Sequence, residues 1–198
     1  MCGIVGGIAH RDVVPVLMEG LKRLEYRGYD SAGVAVLDDH QHLQRIRSVG
    51  KVASLKGLID QAELQSKLGI AHTRWATHGM PSERNAHPHM SGESVAIVHN
   101  GIIENYADLR EELTAKGFIF TSETDTEVIA HLLADILKQV PDIVKAVRVA
   151  SKKLVGAYAL AVVSPEDPDQ MVVIRAGSPL VIGLGEDGNY IASDVFAL

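Results

Sequence analysis

Cysteine occurs once in this chain of 198 residues, at position 2, directly behind Met1 in the opening MCGIVGGIA. With Met1 removed, one carbon carries both a thiol and a primary amine, and an α-amine titrates near about 7.7 to 8.0, close to working pH. Such a residue supplies a nucleophile and its own general base. The competing reading is a small hydrophobe in a first strand; the place at the terminus is what favours chemistry.

Three further segments hold residue types that suit a small polar substrate. In AHTRWATHG, residues 71–79, a strand runs into Arg74, Trp75, Thr77 and His78. A guanidinium fork matches a carboxylate, Thr77 and His78 can add donors, and Gly79 permits a mobile loop. In VHNGIIEN, Asn100 and Gly101 are either the two central residues of a tight hairpin or a side-chain amide and a backbone N–H aimed together at an oxyanion. In SETDTE, Asp125 lies at a predicted helix start, where the helix dipole alone favours an acid. An ionised Asp is equally what a substrate ammonium group requires. A fourth segment, LEYRGYDSAG, places Arg27 and Asp30 around Gly28; it is either a structural turn in which the two charges satisfy one another or part of a site.

Two patterns are set aside. GLGEDG matches a dinucleotide-binding spacing but precedes a predicted strand rather than a helix, so it reads as a hairpin turn. His72, His78, His87, His89 and His99 lack HExxH spacing or cysteine partners, so no metal is expected, although HPH at 87–89 is a candidate structural segment near the site.

The elements that must position these residues follow from periodicity. Runs at CGIVGGIA, AGVAVL, LQRIRSV, LGIAHTR, SVAIVHN, AYALAVVS, QMVVIRA, LVIGLG and NYIAS read as strands. Short turns such as DDHQH, SPEDPD and GEDGN favour antiparallel pairing. Helices are predicted where Val14, Leu17, Met18, Leu21 and Leu24 recur at helical spacing, from an Asn105 cap to Gly117, from Thr124 with a Thr124–Glu127 capping box, and from about Asp142 to Leu154. Two groups of strands with helices between them predict an α+β fold of stacked antiparallel sheets covered by helices. The order of the layers is not set by periodicity.

Composition narrows the function classes. The chain is 46% hydrophobic and 22% charged, ordinary for one globular domain. A net charge of −6 argues against nucleic acid as the main partner. One cysteine excludes an internal disulfide framework and fits a reducing compartment, and no apolar run reaches the roughly 18 residues of a membrane span, so a cytoplasmic protein off the membrane is expected.

CGIVGGIA, LEYRGYDSAG, HTRWATHG, NAHPH, HNGIIEN and SETDTEVIAH together resemble, in order and over nearly the whole chain, the glutaminase domains of glutamine-fructose-6-phosphate aminotransferases. These are class II glutamine amidotransferases of the N-terminal nucleophile hydrolase superfamily. The resemblance implies a four-layer αββα sandwich and glutamine as substrate without any cofactor. It makes Cys2 the nucleophile that forms a glutamyl thioester, and Asn100 with Gly101 the oxyanion hole. Arg74, Thr77 and His78 would bind the substrate carboxylate, Asp125 with the Gly101 carbonyl the ammonium, Trp75 would cover the site, and Arg27 would support the nucleophile loop.

The ammonia would serve a sugar-phosphate isomerase domain of the same full-length chain, converting fructose 6-phosphate to glucosamine 6-phosphate in a homodimer. The alternatives are a glutaminase subunit for another acceptor, as in amidophosphoribosyltransferases, and a non-catalytic glutamine-binding module. The family's chain is much longer, so residues 1–198 are expected to be one glutaminase domain cut inside IASDVFAL.

Overall fold

The computed structural model describes residues 2–198, which fold into two antiparallel sheets stacked face to face with helices on both outer surfaces. In chain order the elements are β1 (Gly3–Ala9), α1 (Val14–Arg23), β2 (Ser31–Leu37), β3 (Leu43–Val49), α2 (Val52–Gln61), β4 (Leu68–Arg74), β5 (His89–Ser91), β6 (Val95–Ile103), α3 (Tyr106–Ala115), α4 (Glu127–Leu137), α5 (Ile143–Ser151), β7 (Gly156–Val163), β8 (Val172–Ala176), β9 (Val181–Leu184) and β10 (Gly188–Ala192). One sheet has the order β3-β2-β4-β1-β10-β9 and the other β5-β6-β7-β8.

Alternation along the strands builds the layers. Val34 and Val36 of β2 face α1 and α2, where they join Leu17, Leu21 and Leu55. Their neighbours Ala35 and Leu37 face the other sheet and meet Ile4, Ile70, Val98 and Ala161. On β6, Val95 and Ile97 turn outward to Leu132 and Leu133 of α4, while Ala96 and Val98 turn inward. Two successive residues of a strand point to opposite faces, so strands covered on both sides are apolar throughout. The three buried clusters are the three interfaces of four layers, the αββα sandwich expected.

Where the structure differs from the sequence-based expectations, tertiary partners are the reason. Asn100 and Gly101 form no turn; they lie inside β6, opposite Ala159 and Tyr158 of β7. Gly101 has φ of 130°, and a Cβ there would stand 2.0 Å from the Ala157 carbonyl oxygen. The helix expected from Thr124 begins at Glu127. Only half of the capping box forms, Glu127 N–H to Thr124 Oγ1 at 3.4 Å. The Glu127 carboxylate instead accepts from the N–H groups of Thr121 at 2.9 Å and Ser122 at 2.7 Å.

Asn105 does not cap α3 with its side chain; it bridges the Lys153 carbonyl and Val155 N–H. Asp142 does cap α5, accepting from Lys145 N–H at 2.8 Å. GLGEDG is a hairpin between β9 and β10, as expected, with Gly185 N–H bonded to the Gly188 carbonyl. Helix α2 and strand β5 were not legible in advance. The first carries Gly57 and no side-chain cap, and the second is only three residues long.

Candidate active site

Strand pairing delivers the thiol. β1 lies between β4 and β10, and the register Gly3 to Thr73 sets Cys2 beside the end of β4 and the segment that follows it. Trp75 N–H donates to Cys2 Sγ at 3.3 Å, and Sγ is 3.5 Å from the Trp75 carbonyl oxygen. Burial pushes the thiol pKa above its ordinary value, while the Trp75 N–H and the Arg74 charge pull against it. Met1, and with it any reading of its removal, lies outside the described residues.

The second sheet supplies the amide. On β6 the inward row Ala96, Val98, Asn100 runs from apolar to polar, as Ile70, His72, Arg74 does on β4. Asn100 Nδ2 donates to the Cys2 carbonyl at 3.3 Å. Its Oδ1 lies 2.9 Å from His72 Nε2, which is also 3.0 Å from the His99 carbonyl oxygen.

Two opposite charges flank this centre. Arg74 is 3% exposed and donates to the carbonyls of His78 and Gly79. Its Nη1 is 3.8 Å from Asp30 Oδ1 and has no hydrogen-bond partner among the described residues, so a buried donor is left for an anion. Asp125, also 3% exposed, accepts from Ile103 N–H at 2.8 Å through one oxygen; the other lies 3.8 Å from His78 Nδ1. Thr77 Oγ1 is 3.4 Å from that same nitrogen.

Cys2, Arg74, Trp75, Thr77, Gly101 and Asp125 all line one cavity of about 20 Å³. That volume suits a single water rather than an amino acid, so a larger ligand requires the segment after β4 to move. A wider concavity, about 980 Å³ between α1 and α2, contains none of these residues.

Arg27 is absent from the cavity lining. It pairs with Asp194 and donates from Nε to the Tyr26 hydroxyl, so of the two readings of this segment the turn is structural but its charge partner is Asp194. Asp30 instead accepts from Ala76 N–H at 2.5 Å and holds the turn after Arg74. A Cβ on Gly28, whose φ is 72°, would come 2.7 Å from the Trp75 ring, so the glycine makes the seat for that ring.

Behind the amide sits a group of histidines that sequence reasoning left mostly without a role. His72 stacks on His87 with centroids 4.1 Å apart, and His87 meets His89 edge-on at 4.8 Å. The Thr126 hydroxyl lies between His87 Nε2 at 3.0 Å and His99 Nδ1 at 2.8 Å. Burial drives all four rings toward the neutral form: His72 and His89 to about 3, His99 to about 4, and His87 well below its ordinary value. Among the described residues no group of three His, Cys, Asp or Glu side chains is arranged to hold a metal ion. Nor, among the described residues, is any helix long and apolar enough to cross a membrane.

Residues 72–198 match a family model described as "Glutamine amidotransferase domain". The chain is 61% identical over all 198 residues to glutamine–fructose-6-phosphate aminotransferase [isomerizing] of Pseudomonas aeruginosa, and 59% identical to that of Pseudomonas putida. It spans 32% of the length of each of these relatives. Among solved structures, the glutamine phosphoribosylpyrophosphate amidotransferase of B. subtilis is 27% identical with a TM-score of 0.83, covering 99% of this chain and 42% of that one. A glutamine aminotransferase class-II domain protein from Silicibacter pomeroyi, 16% identical with a TM-score of 0.63, covers 96% of this chain and 88% of its own and shares the fold.

Proposed function

The chain belongs to the glutamine amidotransferase domain family, and from that premise we propose that it hydrolyses the side-chain amide of glutamine through Cys2. The observation that carries this reading is the convergence of a thiol, a buried arginine with an unfilled donor and a buried aspartate on one cavity, with the Asn100 amide bonded to the Cys2 carbonyl beside it.

Glutamine lies with its α-carboxylate on Arg74, Thr77 and His78 and its α-ammonium on Asp125 and the Gly101 carbonyl. Sγ attacks the amide carbon while its proton passes to the α-amine of Cys2, exposed once Met1 is removed. The oxyanion is met by the Asn100 amide and the Gly101 N–H, donors each worth about 2.7 to 4 kcal/mol in such sites. The amine then protonates the leaving nitrogen, ammonia departs, and water hydrolyses the thioester to glutamate. A ligand lacking either charged end leaves Arg74 or Asp125 buried and unpaired, which gives the site its selectivity. Trp75 covers the site, and Arg27 supports the loop that seats it.

The identities of 59 and 61% to the fructose-6-phosphate aminotransferases, against 27% to the phosphoribosylpyrophosphate enzyme, favour fructose 6-phosphate as the acceptor. In this reading the ammonia is consumed by a sugar-phosphate isomerase domain of the full-length protein, a cytoplasmic homodimer, and residues 1–198 are its glutaminase domain.

The test is glutamate release from glutamine by the purified chain beside Cys2→Ala, with N-terminal sequencing of both. Activity in the wild type and none in the variant is expected. Equal release by the two would remove Cys2 as nucleophile, and glutamine binding without release would favour a non-catalytic module.

A further inference from the structure

We propose that His72 is a positioning residue of the oxyanion hole, its Nε2–H holding the Asn100 amide so that the NH2 group, and not the carbonyl oxygen, faces the reacting centre. The proposal rests on the functional reading above and adds to it a residue outside the cavity lining.

Two backbone carbonyls decide the hydrogen positions. The Cys2 carbonyl can only accept, so the Asn100 atom 3.3 Å from it is the amide nitrogen, and the atom facing His72 is therefore oxygen. His72 Nε2 then confronts two acceptors, that oxygen at 2.9 Å and the His99 carbonyl at 3.0 Å, and must carry the proton. The other ring nitrogen, Nδ1, is buried without a hydrogen-bond partner among the described residues, which is tolerable for the bare lone pair of a neutral ring and poor for an N–H.

Burial keeps the ring neutral, and stacking on His87 keeps it in plane. His87 is steadied in turn through the Thr126 hydroxyl, which His99 shares. A primary amide is nearly symmetric in shape, and turning it end for end would aim a carbonyl dipole at the developing oxyanion. The donor on His72 removes that alternative in advance, which is the preorganisation that oxyanion stabilisation demands.

The variants separate a donor from a mere filler. His72→Phe keeps a ring on His87 but has no donor. His72→Gln carries an NH2 at about the reach of Nε2, and His72→Asn carries one that falls short. For glutamine hydrolysis, His72→Phe should lower kcat about 10- to 100-fold with KM changed less than about 2-fold. His72→Gln should recover most of it and His72→Asn should not. In a double variant with Asn100→Ala, His72→Phe should cause no further loss.

Unchanged kcat in His72→Phe, a loss confined to KM, or multiplying losses in the double variant would overturn the proposal. If the Phe variant does not fold, equal activity of the Gln and Asn variants overturns it. A long-range 1H–15N spectrum of the wild-type chain gives a reading independent of activity: His72 should be protonated on Nε2 alone across about pH 5 to 8, and an Nδ1–H or doubly protonated ring overturns the assignment. A wild-type chain that releases no glutamate overturns the functional reading and the catalytic half of the proposal together, while the spectrum decides the geometric half.

Discussion

A thiol at the start of a chain gains its chemistry from what strand pairing sets around it. Cys2 meets Trp75 N–H because β1 pairs with β4, and Gly28 leaves room for the Trp75 ring that closes over the same place. Trp75 is the only tryptophan, and it is 53% exposed beside a cavity too small for an amino acid. Its fluorescence should therefore report on ligand entry. In a Cys2→Ala chain, which cannot turn glutamine over, added glutamine should shift the emission to the blue in a saturable way as the ring packs on the ligand. Calorimetric binding with a constant emission spectrum would show that the segment after β4 does not move.

At the scale of elements, the loop that carries Asp125 is fixed from the first turn of α4. Burial would raise the Glu127 carboxyl, but the nearby His131 ring, 3.7 Å away, and the donors of Thr121 and Ser122 hold it well below the usual carboxylate range. Glu127→Ala leaves the N–H groups of Thr121 and Ser122 without their acceptor. Bonds to a charged group contribute about 1.5 to 3 kcal/mol each, and the two share one carboxylate, so a loss of about 3 kcal/mol is expected in urea unfolding. Because Asp125 lies two residues before the helix, KM for glutamine should rise more than kcat falls. A variant of wild-type stability and KM would show that the loop is held by other means. The neighbouring strand carries a comparable constraint, since Gly101 passes too close to Ala157 for any side chain.

For the molecule as a whole, four buried neutral histidines make folding sensitive to acid. Folded, His72, His89 and His99 remain uncharged down to about 3 to 4, and His87 also titrates well below 6.5; unfolded, all four take a proton near 6.5. Below that pH the unfolded state binds more protons, so the stability present above it is lost as pH falls, by about 1.4 kcal/mol per pH unit for each ring. Glu127, with its depressed pKa, adds a loss of the same sign below its ordinary value of 4.5. Urea midpoints should be highest above about pH 7 and fall steadily from about 6.5 toward 4. Equal midpoints at about pH 7.5 and 5 would mean that the rings are already charged in the folded chain or open to water.

Features that depend on neighbours in the chain were readable from the sequence. All nine expected strands are present, because apolar runs bounded by turn residues leave few other conformations, and Asp142 caps its helix through a contact three residues away. The proposed nucleophile, charges and oxyanion donors were named from motif and resemblance, and the fold brings Cys2, Arg74, Trp75, Thr77, Gly101 and Asp125 to one cavity, with Asn100 bonded to the Cys2 carbonyl and His78 beside Asp125.

Tertiary structure alone decided whether Asn100-Gly101 turns or runs on as a strand, since local propensity favours the turn and pairing with β7 overrides it. It also decided that Arg27 pairs with Asp194, 167 residues away, and that four histidines lie buried behind the amide rather than in water. A residue's burial and its distant partners are set by how layers stack, and neither periodicity nor spacing along the chain contains that information.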